Sequence, residues 1–179
     1  RLGCYDVDAD KILWEQVYDA GCDRSSITPD GKKIYVPTGW WYKGADSGFL
    51  VIDAATGKLL KRIPVGLAAH NSIASLDGKR VYLGTETMLT AIDPGDDRVV
   101  LQIKDVGESG VFPFTIDSRQ NLAYVCLGKT VGFDVIGLKE GKVLHRVLAG
   151  EAPIAHRTHG AGLTPDETEL WISDQVGKK

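Results

Sequence analysis

Short apolar runs separated by polar turns recur along the chain, and four of them are copies of one another. The clearest is ITPDGKKIYV at 27–36. Aligning Thr28 with Ser75, Thr115 and Thr164 superimposes TPDGKKIYV, SLDGKRVYL, TIDSRQNLAYV and TPDETELWI. Each copy has an acid two residues past the aligned position (Asp30, Asp77, Asp117, Asp166). Each then places an aromatic ring in the next apolar run (Tyr35, Tyr82, Tyr124, Trp171). Copies spaced 40 to 49 residues apart predict a repeat architecture. Within a copy, two strands joined by a tight turn are expected. Asp30-Gly31 and Asp77-Gly78 suit a two-residue hairpin, because Gly accepts positive φ without a Cβ clash.

A second hairpin follows each first one. Its mark is an Asp closing an apolar run: GCYD at Asp6, LVID at Asp53, TAID at Asp93 and VGFD at Asp134. A basic residue stands five positions on at Lys11, Lys58 and Arg98, and in the last copy a three-residue insertion defers it to Lys142. Four strands per period is the make-up of one β-propeller blade, so the fold class expected is all-β, with four-stranded antiparallel blades. Residues 1–18 read as an outer half-blade. Whole blades follow at 23–66, 70–106 and 110–149, and 159–179 read as an inner half-blade. The repeated acids are expected to accept backbone N–H bonds in their turns, and the repeated rings to pack blade against blade.

TPDGKKIYVPTG followed by LVIDAATGKLLKRIPVG resembles the YVTN-repeat family of bacterial β-propellers, which is related to lactonase-like propellers. The resemblance covers nearly the whole chain. It implies blades that come seven or eight to a ring, of which about four are present, and a periplasmic or extracellular location. A fragment of such a ring is the favoured expectation. A closed four-bladed ring, or a homo-oligomer in which a second chain completes the ring, are the alternatives.

Composition narrows the partners. A net charge of −3 over 179 residues argues against a general nucleic-acid or anionic-membrane binder. No apolar run reaches the length of a membrane span. The chain opens at Arg1 without an initiating Met, so a removed or missing N-terminus is expected and export is not testable from it. Cys4, Cys22 and Cys126 make no disulfide framework. Cys4 and Cys22 could meet between neighbouring blades, but small buried thiols in strands are the simpler expectation. Phosphate-loop, dinucleotide and haem-attachment motifs are absent from the sequence.

Departures from the repeat are where function is sought. Five residues before the aligned position the copies read Asp23, His70, Gly110 and His159, which places these side chains at the rim of the central channel. Two imidazoles and a carboxylate around one opening could hold a divalent metal or move a proton. A His satisfying a neighbouring carbonyl is the plainer alternative. An insertion of seven residues carries Trp40, Trp41 and Tyr42, suited to stacking on a sugar or flat ligand or to anchoring a partner, unless the rings fold over their own blade. A second long connection, 150–158, brings His156 and Arg157, a candidate anion contact, beside His159. Up-and-down topology puts both insertions and the rim at one mouth. The short Asp-Gly turns of the opposite face are expected to offer little depth. Two functions follow. The first is a non-catalytic scaffold that binds a small molecule, glycan or protein on the loop face without a cofactor. The alternative, implied by the resemblance, is a lactonase-like or lyase-like enzyme using His70 and His159, with a divalent metal at the rim.

Overall fold

The computed structural model describes residues 1–86, 88–108, 110–111, 113–149 and 158–174, and among them every regular element is a strand. Strands β1 (Leu2–Asp6) and β2 (Lys11–Gln16) pair with each other alone. Strands β3 (Ser26–Ile27), β4 (Lys33–Pro37), β5 (Gly48–Asp53) and β6 (Leu59–Pro64) form a four-stranded sheet. So do β7 (Asn71–Ala74), β8 (Val81–Gly84), β9 (Met88–Asp93) and β10 (Arg98–Lys104). The third four-stranded sheet holds β11 (Phe114–Ile116), β12 (Leu122–Cys126), β13 (Gly132–Gly137) and β14 (Lys142–Leu148). Strands β15 (Thr158–Leu163) and β16 (Leu170–Asp174) form a last pair. Within each sheet every strand pairing is antiparallel and the order is a simple meander, which makes the sheets blades of a β-propeller-like fold.

The core lies between blades. Strand β5 is apolar over GFLVI and buried along that run, since its sheet is covered on both faces. The outermost strands stay largely exposed. One apolar slab joins Tyr35, Phe49 and Val51 to Val81, Leu83 and Ile92 of the next blade, and a second joins Tyr82, Leu89 and Ile103 to Phe114, Val125 and Ile136.

The strand register corrects the sequence alignment in the third blade. Backbone N–H bonds run from Thr28 to Lys33 O, Ser75 to Arg80 O and Thr164 to Glu169 O, and the matching bond starts at Asp117, ending on Leu122 O. Asp117, not Thr115, is therefore the turn anchor. Its carboxylate accepts the Asn121 and Leu122 amides, as the Thr28 hydroxyl accepts the Lys33 amide. A carboxylate standing in for a hydroxyl hid the match. The outer-hairpin acid is misplaced as well. Tyr124 pairs with Val135 as Tyr35 pairs with Val51, so Gly137 is the counterpart of Asp53, and Asp134 lies inside β13. Positive φ four residues on, at Asp10, Gly57, Asp97 and Gly141, confirms that register, and Lys142 then follows Gly137 by five with no insertion. Asp6, Asp53 and Asp93 do accept turn amides, from Asp8 and Ala9, from Thr56 and from Gly95 respectively.

Two of the repeated rings bridge to the following blade. Tyr35 is fully buried and donates its hydroxyl to Asp97, and Tyr82, nearly so, donates to Gln120 at 3.1 Å. Tyr124 is half-buried. Trp171 departs from the expectation of burial: it is 70 % exposed, because no following blade stands against it among the described residues. The three cysteines are free, Cys126 buried in β12 and the other two half-buried.

Candidate functional site

Two short bridges between neighbouring segments build the rim. Arg24 pairs in parallel with Asn71, which sets the residues just ahead of them, Asp23 and His70, side by side. Asp23 Oδ2 lies 2.7 Å from His70 Nδ1. A carboxylate accepts, so His70 donates to it from Nδ1. The Asp23 amide donates to Pro37 O and the His70 amide to Gly84 O, so both backbones are fixed by strand ends. The second bridge joins Gly39 to Ala69, with the Gly39 amide 2.9 Å from Ala69 O, and it delivers Trp40 to His70. The two rings meet edge to face at a centroid separation of 5.6 Å. Across the opening the ring of His159, from β15, lies 6.3 Å from that of His70.

Asp23, Trp40, His70 and His159 thus meet at one mouth, drawn from three sheets. Trp41 is 84 % exposed beside them. Tyr42 is half-buried against the first blade's core and donates to Asp46 at 2.7 Å. That bond raises the phenol above its usual range, and it also holds the Asp46 carboxyl below the carboxylate range, with help from Arg62 at 2.7 Å. Tyr42 therefore braces the loop that presents the indoles. His156 and Arg157 lie outside the described residues.

The pairing register moves the third rim position. Ser26, Ile73 and Gly162 face Tyr35, Tyr82 and Trp171, and the counterpart facing Tyr124 is Thr115. Three residues back from these stand Asp23, His70, His159 and residue 112, the last outside the described residues. Gly110 is thus not the rim residue. It has another part at the mouth: a Cβ there would stand 3.0 Å from Trp40 Cη2 and 3.1 Å from Glu86 O. Nothing in a periodicity argument pointed to that seat.

Among the described residues no group of three or more His, Cys, Asp or Glu is arranged to hold a metal ion. Asp23 is turned onto His70, and His156, the further ligand the sequence offered, lies outside the described residues. On the opposite face the expectation of little depth fails. A cleft of about 380 Å³ opens among Pro29, Lys32, Leu76, Gly78 and Pro94. Another of about 320 Å³ lies among Ile73, Leu76, Ile116, Leu163 and Pro165. Neighbouring turns splay apart there, leaving space between hairpins that are each tight. Among the described residues no helix is long and apolar enough to cross a membrane.

Fold and rim together define an all-β, β-propeller-like scaffold whose loop face can make contacts with a ligand or protein. No family model matches the chain, and no curated protein sequence does either. Solved structures do. The chain resembles Kuenenia stuttgartiensis hydrazine synthase with a TM-score of 0.79 at 22 % identity, over 98 % of this chain and 50 % of that one. It resembles U3-55K with a TM-score of 0.66 at 11 % identity, over 88 % of this chain and 53 % of that one. At such identities the likeness is one of fold alone. The chain spans about half the length of either structure.

Proposed function

We propose that the chain is a non-catalytic, YVTN-type propeller scaffold, periplasmic or extracellular, that binds a small ligand or glycan at the mouth around Asp23, Trp40, His70 and His159. The observation that carries this reading is the meeting of those side chains from three sheets beside an indole, Trp41, that is 84 % exposed. An exposed indole next to fixed polar groups suits stacking on a sugar ring with hydrogen bonds to its hydroxyls. Placement on the YVTN family rests on the repeat signature, and the location rests on the same resemblance.

Titration with neutral oligosaccharides, followed by tryptophan fluorescence, tests it. Trp41→Ala and His159→Gln should each abolish a saturable signal, and Trp41→Ala should shift Tm by less than about 2 °C, as surface changes do. A signal that survives both changes and is lost in Leu76→Asp would put binding in the turn-face clefts and end this reading. A second reading has its own support. The Asp23–His70 contact at 2.7 Å pairs an imidazole with a carboxylate that orients it, the arrangement a lactonase-like or lyase-like enzyme uses for acid/base work. Hydrolysis of a chromogenic lactone that disappears in His70→Asn would favour it.

A further inference from the structure

A buried charge in the blade beyond the mouth has no counterpart in its neighbours. Asp134 of β13 faces Arg146 of β14, where the same register pairs Leu50 with Arg62 and Thr90 with Gln102. Asp134 is fully buried, and Arg146 donates to it from Nε at 2.7 Å and Nη2 at 3.0 Å. Burying a carboxylate is costly even when it is paired, and this fold accepts Leu or Thr at the position, so the pair is explained by what it holds.

It holds the connection between β10 and β11. The Gly107 amide donates to Asp134 Oδ2 at 3.0 Å. Arg146 Nη1 reaches Glu108 at 3.3 Å, and the other Glu108 oxygen accepts the Lys129 amide at 3.0 Å and the Thr130 hydroxyl at 2.9 Å. Gly107, at φ 68°, lies so close to Gly110 that a Cβ on it would stand 2.4 Å from Gly110 O. The Val111 amide closes the segment on Thr85 O at 2.8 Å. Gly110 in turn is the close neighbour of the Trp40 ring that meets His70.

We propose that Asp134, Arg146 and Glu108 are positioning residues for the mouth: they fix the connection on which Trp40 is seated against His70. The importance of the mouth rests on the binding reading above, but the device is tested without any ligand. The experiment compares Asp134→Leu/Arg146→Leu with Glu108→Gln in the full chain by NMR, reading amide exchange and the Trp40 indole and His70 ring signals. The double change replaces the pair by the residue found at Leu50, so the blade keeps an apolar filling. Expected are about tenfold faster exchange at Gly107, from one lost hydrogen bond, and displaced Trp40 and His70 signals. Tyr35 and Phe49 signals should stay in place. Glu108→Gln should displace the same mouth signals by less. If the double variant does not fold, Glu108→Gln alone decides. Unmoved Trp40 and His70 signals in a folded variant would overturn the proposal and leave the pair a brace within its own blade. Displaced signals combined with unchanged oligosaccharide binding would instead count against the binding reading and leave the positioning role intact.

Discussion

Tyr35 and Trp171 hold the same place in their hairpins and face different surroundings. Tyr35 is fully buried, edge to face with Phe49 at 5.5 Å, and its hydroxyl reaches Asp97, which also accepts Lys33 Nζ at 3.0 Å. Truncation to Ala should cost about 3–5 kcal/mol in urea melts. Tyr35→Phe, losing only the hydroxyl, should cost about 1–2 kcal/mol. Trp171→Ala should stay within about 0.5 kcal/mol in this chain, because the ring is mostly in water. Equal costs at the two positions would contradict the packing described. Burial also acts on protons. It pushes the Cys126 thiol from 9.0 up to about 12, and the Tyr82 phenol from 10.0 up to about 12. Both folded values are raised, so both groups keep their protons in the folded chain while the unfolded chain gives them up. Stability contributed by the neutral forms is whole below pH 9 and declines as pH rises toward 12. The decline should be on the order of 1 kcal/mol per pH unit between pH 10 and 11. Urea melts at pH 8, 10 and 11 measure it, and a flat profile would refute the burial of these groups.

Among elements, the β13–β14 and β5–β6 pairs make a natural comparison, since each sets an Arg at the same register. Arg146 neutralises an acid with no exposure, whereas Arg62 meets Asp46 and Asp19, whose side chains are 38 % and 75 % exposed. Arg146→Met should therefore cost about 3–5 kcal/mol by stranding Asp134. Arg62→Met should cost about 1 kcal/mol or less, because water screens both partners. Thermal or urea melts of the two variants would check the contrast. These elements also show what the sequence could tell. Blades were legible because Asp-Gly turns and in-register rings repeat. The third blade misled because Asp117 does by carboxylate what Thr28 does by hydroxyl, and because Gly137 fills a place held elsewhere by Asp. Asp23, His70 and His159 could be placed at one rim, since counting along paired strands fixes which end a residue occupies. The Asp23–His70 contact and the seat at Gly110 could not, because they depend on which way side chains turn across a blade boundary.

Seen as a whole, the molecule is held together by links between neighbouring sheets. Trp14 and Tyr18, preceding the first full blade, donate to Ala54 O and Gly57 O within it. Lys33, Tyr35 and Lys61 of that blade reach the Pro94–Asp97 turn of the next. Tyr82 reaches Gln120 in the one after. Each sheet is tied to its successor, as in linear repeat proteins. This ordering has a mechanical consequence. Drawn apart by its two ends in an optical trap, the chain should yield in discrete steps rather than one rupture, each step releasing a single period. A period of 42 to 47 residues corresponds to roughly 150 Å of contour. The β1–β2 and β15–β16 pairs should give way at the lowest force, since each is a two-stranded sheet with fewer hydrogen bonds than a full blade. Cutting one grip, as in Tyr82→Phe, should weaken the step at that boundary and leave the force of the others unchanged.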